Sequence, residues 1–133
     1  MARKSKIKLK QYNLKNYDFL SWNKNTQLVY LAGVFEGEGT YGIWKQGGRN
    51  IFNFILKVKM TDKDVVQRFA EYCNYGNVLA EKPQAEKYKV GWVWKITGPR
   101  ALNFASEMFP YLGQRRSAKL LECLSLYKKE RNL

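Results

Sequence analysis

Nine residues, Leu31-Ala32-Gly33-Val34-Phe35-Glu36-Gly37-Glu38-Gly39, bring two carboxylates and three glycines together. Thr26 to Gly37 reads as a buried helix, because an N-capping residue type opens it and apolar residues lie on all its sides. Gly33 and Gly37 are four apart and share a helix face, and without side chains they let a second helix approach until the backbones nearly touch. A second copy of the same helix is the obvious partner. Crossing about a two-fold axis, the pair would bring both copies of Glu38 together at its foot, where the carboxylates repel and a divalent cation relieves the repulsion. The simpler alternative is a solvated helix end with Gly37 and Gly39 as a stop signal, although the helix dipole opposes two acids there.

Composition narrows the chemistry. The 133 residues include no histidine, which excludes a histidine general base, and Cys73 and Cys123 are the only soft ligands, which disfavours zinc. A catalytic metal is left with oxygen ligands, and these suit magnesium, calcium or manganese. Twenty-four Lys and Arg against 11 Asp and Glu give a net charge of +13, beyond the roughly 2 to 8 that keeps a small domain in solution. An anionic partner, nucleic acid foremost, explains that excess. The stretch MARKSKIKLK carries five positive charges with no apolar run behind it, so no secretory signal is expected. No stretch approaches the roughly 18 apolar residues of a membrane span. The expectation is an intracellular, cytoplasmic protein with no membrane partner and no small-molecule substrate, its two cysteines reduced and packed in the core.

These groups must be positioned by elements that the pattern also indicates. Residues 1–24 mix basic and aromatic types without periodicity and read as a basic N-terminal arm, leaving 25–133 as a single domain. After the first helix, Thr40–Gln46 and Ile51–Met60 read as a hairpin, with Phe52, Phe54, Leu56 and Val58 alternating against Asn53, Ile55, Lys57 and Lys59. Thr61 and Asp62 cap a helix that runs to Cys73 and ends at an Asn74–Gly76 turn. A second hairpin is expected from Asn77–Glu81 and Lys87–Thr97, again aromatic on one face and basic on the other. Gly98 and Pro99 start a helix through Phe109, and a last helix spans Arg115 to Lys129.

The LAGVFEGEG segment resembles the LAGLIDADG motif of homing endonucleases, and the order of elements from Thr26 to Lys129 is similar to that family's core. The resemblance implies an α+β fold of αββαββα order, with a saddle-shaped antiparallel sheet, helices on its convex face and DNA along the concave one. A chain with a single motif is expected to form a homodimer, and the helix surface assigned to that contact is Leu31, Ala32, Gly33, Phe35 and Glu36. By position, Glu38 resembles the essential metal ligand, with the Gly37 carbonyl beside it, and Glu36 resembles an acid that supports the helix end. Lys57 falls near a polar position that organises metal-bound water, and Arg116 near a basic residue beside the scissile phosphate. Both motif acids are Glu where the family name carries Asp, so the carboxylates reach one methylene further.

The activity implied by the resemblance is that of a sequence-specific double-stranded DNA endonuclease that uses Mg2+, with Mn2+ or Ca2+ able to take the same oxygens, and leaves a staggered break. The family's association with intron or intein mobility comes with the resemblance. With no histidine, water would be activated by metal, and Lys57 and Arg116 would stabilise charge. A β-ribbon fits the major groove, and side chains at every second strand position can meet base edges. The expected DNA contacts are Thr40, Trp44, Gln46, Arg49, Asn53, Lys59, Lys87, Lys89 and Arg115. The rival reading is a non-cleaving nucleic-acid-binding protein on the same fold, an RNA maturase or a transcriptional regulator.

Overall fold

In the computed structural model, which describes residues 18–45, 52–82, 85 and 89–131, the first helix starts earlier than its sequence signal. The Asn23 side chain accepts the Thr26 N–H at 2.8 Å, so the helix, α1, runs Lys24–Glu38, beginning two residues before Thr26. A 3₁₀ turn at Phe19–Ser21 precedes it and buries Phe19 in the core. This part of the expected arm is therefore packed. Gln27, buried at the start of α1, donates from its side-chain amide to the carbonyls of Phe19 and Trp22. Phe19, Trp22 and Tyr30 together surround the Arg68 guanidinium, which lies 5.0 to 5.6 Å from each ring centroid.

Two hairpins follow, separated by a helix. They comprise β1 (Gly39–Lys45), β2 (Phe52–Met60), α2 (Lys63–Cys73), β3 (Val78–Glu81) and β4 (Gly91–Thr97), and then come α3 (Gly98–Met108) and α4 (Gln114–Glu130). The four strands form one antiparallel sheet in the order β1-β2-β4-β3. The architecture is thus α+β in the expected order. Asp62 stands at the N-cap of α2 as anticipated, but its side chain makes no capping hydrogen bond. The second hairpin is shorter than its alternating pattern suggested, for β4 opens at Gly91 and the exposed Lys89 and Val90 precede it. Gln46, Arg49 and Lys87 lie outside the described residues.

Alternation decides the two faces. Tyr41, Phe54, Leu56, Val58, Trp94 and Ile96 are buried beneath the helices, where Phe69 of α2 and Phe104 of α3 pack on Trp94. The opposite face is left open. Both cysteines are free, and burial pushes both thiols up, Cys73 to about 12, as expected for reduced thiols at the core. Among the described residues no helix is long and apolar enough to cross a membrane.

Trp94 ties three elements together, since its indole N–H also donates to the Tyr75 carbonyl at 3.0 Å. Gly76, at φ +89°, leaves the space this indole fills. Trp94→Ala is expected to cost about 3–5 kcal/mol of unfolding free energy, read from a urea denaturation midpoint at unchanged slope.

Candidate functional site

The last turn of α1 is fastened to α4 at a single junction. Gly39 follows Glu38 directly, and a Cβ there would run into the Phe35 ring, so only glycine lets the chain turn into β1 this close to the helix. The Gly39 carbonyl accepts from Arg116 Nη1 at 2.8 Å, and the Tyr41 hydroxyl donates to the Arg116 carbonyl. Burial pushes the Tyr41 hydroxyl above its ordinary value. Glu36 completes the junction by accepting the Gly113 N–H at 3.1 Å and lying 3.7 Å from Arg116 Nε. Gly113 is the N-cap of α4, and by accepting its N–H Glu36 sets a carboxylate at that positive helix end.

Three assignments change as a result. Leu31, Ala32 and Phe35 are fully buried in the chain's own core and are not available to a second subunit. Glu36 is spent inside the chain and supports α4 rather than its own helix end. The Arg116 guanidinium is committed to Gly39 and Glu36, over the Phe35 ring, which makes it a positioning group at this junction. The face of α1 that does remain open carries Val29, Gly33 and Gly37, and a Cβ at either glycine would meet nothing within 4 Å. Of the helix positions expected to meet a second subunit, Gly33 lies on this open face. Gly37 and Val29 follow from the same helical spacing once the buried side is known.

Glu38 is exposed at the C-terminal end of α1 and makes no hydrogen bond or ion pair among the described residues. Gly37 lies in the same last turn, where the Gly39 N–H caps the Phe35 carbonyl and the helix offers no further donors to the carbonyls after it. A free carboxylate beside unpaired carbonyls is an oxygen donor set that fits a hard divalent cation. Among the described residues no three His, Cys, Asp or Glu converge into a group that could hold a metal ion.

The open sheet face lies next to Glu38. Register places Thr40, Lys57 and Lys95 in one row across β1, β2 and β4, and Lys59, Val93 and Leu79 in another across β2, β4 and β3. Two lysines directly opposite each other repel, and an anion over the row relieves that repulsion. Trp44 and Asn53 form a further cross-strand pair on this face, with the Trp44 ring folded over Gly42. A recess of about 710 Å³ lies against the sheet, lined by Lys57, Leu79, Val93 and Lys95 among others. A smaller hollow of about 200 Å³ opens where the junction meets α4, between Gly39, Thr40, Tyr41, Arg115, Arg116 and Lys119. Thr40, Trp44, Asn53, Lys57, Lys59, Lys89 and Arg115 are all at least partly exposed. Sequence reasoning missed Lys95 and Lys119. The alternation that selected Lys87 and Lys89 carries on to Lys95, and Lys119 stands one helical turn from Arg115.

No family model and no curated protein sequence matches the chain. Solved structures do match. The homing endonuclease I-CvuI, in complex with the I-CreI target in the presence of Mg with the DNA not cleaved, superimposes with a TM-score of 0.64 at 18% identity, over 82% of this chain and 70% of that one. I-CeuI, a group I intron-encoded homing endonuclease complexed with DNA, gives 0.63 at 14% identity, over 80% of this chain and 56% of that one. The LAGLIDADG meganuclease I-CpaMI bound to uncleaved DNA gives 0.56 at 19% identity, with 82% of this chain covering 35% of that one. The chain has the LAGLIDADG homing-endonuclease fold, in agreement with the resemblance carried by LAGVFEGEG.

The junction has a measurable signature. Glu36→Ala should lower unfolding free energy by about 1 kcal/mol, the usual worth of a lost N-cap. Gly113→Ala, whose new Cβ would lie 2.5 Å from Glu36 Oε1, should act through the same contact. Combined, the two substitutions should cost clearly less than their sum in a double-mutant cycle.

Proposed function

We propose that this chain is a homodimeric, divalent-metal-dependent endonuclease that cuts double-stranded DNA at a specific sequence. The observation that carries the reading is Glu38, a carboxylate without a partner among the described residues, at the foot of a helix whose free face carries Val29, Gly33 and Gly37, beside an open sheet studded with lysine. Two copies of α1 packed on Val29, Gly33 and Gly37 would bring both Glu38 carboxylates to one axis between two such sheets. The I-CvuI, I-CeuI and I-CpaMI structures, all bound to DNA and the first in the presence of Mg, support the same partners.

In this reading Glu38 and the Gly37 carbonyl hold Mg2+, and Mn2+ or Ca2+ can take the same oxygens. The bound ion would supply positive charge to the scissile phosphate and make a coordinated water acidic enough to attack at neutral pH. Lys57 and Lys95, adjacent in one row, stabilise the charge that builds on the phosphate. Arg115 and Lys119 hold a neighbouring phosphate at the smaller hollow, and Arg116 keeps Glu38 in place through Gly39. Thr40, Trp44, Asn53 and Lys59 meet the major groove, joined by Lys89 and by Gln46, Arg49 and Lys87 from the segments beside the strands.

Incubating the protein and its Glu38→Gln variant with a randomised duplex library and Mg2+, then sequencing the ends, tests the reading. Staggered breaks at one pseudo-palindromic sequence, absent in the variant although it still binds that sequence, are expected. Binding without breaks by the unaltered protein would make it a non-cleaving protein on this fold. Lys95→Ala should lower the slope of log affinity against log salt by about 0.9, the share of one phosphate contact. Gly33→Leu, at an exposed helix position where an added Cβ meets nothing within 4 Å, should leave the fold intact and turn a sedimenting dimer into a monomer.

A further inference from the structure

The four strands carry one carboxylate, Glu81 at the end of β3, on a sheet face otherwise populated by lysine and uncharged residues. Glu81 is ion-paired with Lys59 of β2 at 2.7 Å, with both side chains half exposed. The two strands are not neighbours, since β4 lies between them. Lys59 reaches across because residue 91, opposite Glu81 on β4, is glycine, and a Cβ there would sit 2.7 Å from the lysine Cε. An exposed pair of this kind contributes little to stability. A lone carboxylate on a phosphate-binding face also opposes the phosphates. What it can accept is an N–H in the groove.

We infer that the Lys59–Glu81 pair reads one G·C base pair in the major groove, the lysine donating to guanine and the glutamate accepting from cytosine. The inference rests on the proposed DNA-binding function and names the base that this part of the face selects. In a G·C pair guanine O6 and cytosine N4 are hydrogen-bonded to each other, and so stand about 2.9 Å apart. The Nζ and Oε1 atoms stand 2.7 Å apart, donor beside acceptor, in the complementary order. Lys59 can share its protons between guanine O6 and N7, the usual lysine contact, while Glu81 takes the cytosine amino group. Reversing the pair to C·G sets donor against donor and acceptor against acceptor, and A·T does the same at the central atoms. A T·A pair keeps the central order but puts the thymine methyl where guanine N7 accepted. Preference should therefore fall from G·C to T·A and be lowest for C·G and A·T.

Selection of bound duplexes from a randomised library, with chelator present so that no strand is cut, tests this in the full-length protein, Glu81→Ala and Gly91→Ala. Glu81→Ala removes the acceptor from an exposed edge, whereas Gly91→Ala keeps both charges and displaces the lysine. The unaltered protein should show one G·C position per half-site, favoured on the order of tenfold or more. Both variants should lose that preference and keep the rest of the consensus. Unchanged preference at every position in Glu81→Ala overturns the inference and leaves DNA binding standing. So does a uniform gain in affinity for all sequences, which would make Glu81 only a mask for Lys59. Failure of the unaltered protein to bind any duplex at moderate salt removes the DNA reading itself, and this inference with it.

Discussion

The hydrogen bond from Arg116 to the carbonyl of Gly39 fixes where α1 ends and β1 begins, and the site is built outward from that point. Gly39 is pressed against Phe35, which leaves no room for a side chain and brings the helix end onto the first strand. Phe35 in turn stacks on Tyr41 at 5.7 Å, and Tyr41 donates to the backbone of Arg116. The last turn of α1, the first residues of β1 and the first turn of α4 are thereby one rigid unit. Glu38 hangs from that unit with its carboxylate exposed.

The two motif acids, separated by a single glycine, have been given opposite fates by this packing. Glu36 points toward α4 and is consumed as a cap and a counter-ion, so its charge is balanced inside the chain. Glu38 points away and has no balancing charge among the described residues. An uncompensated carboxylate at the negative end of a helix is an unfavourable arrangement that a cation would relieve. The same junction raises Arg115 and Lys119 around a hollow next to Thr40. Basic side chains and the exposed Glu38 carboxylate thus lie on the two sides of one junction.

The sheet shows a similar division of labour. Its covered face holds large aromatic and aliphatic side chains, and these make the structure stable. Its open face mixes lysines and Thr40, Trp44 and Asn53 with Ile55, Val93, Leu79 and Glu81, none of them fully buried. Like charges opposite one another at Lys57 and Lys95 are a standing cost that an anionic partner removes. Gly42 and Gly91, both on this face, are covered by the side chains of Trp44 and Lys59. Their lack of side chains shapes the surface instead of serving a turn.

The α+β class, the order of elements, the basic face and the singular position of Glu38 were legible in the amino-acid sequence, because each rests on local periodicity or on a short motif. Alternation of period two separates Phe54, Leu56 and Val58 from Lys57 and Lys59 without any knowledge of their neighbours. Contacts between residues far apart in sequence were decided by the tertiary structure alone. A helix that is apolar on all sides gives no sign of which side faces its own core, so Leu31, Ala32 and Phe35 could not be told from Gly33 until α1 was seen against the sheet. Glu36 and Gly113 stand 77 residues apart, as do Arg116 and Gly39, and neither pairing leaves a mark in any local pattern. Lys59 and Glu81 meet only because an intervening strand carries glycine where they cross, a coincidence of register that exists only once the chain has folded.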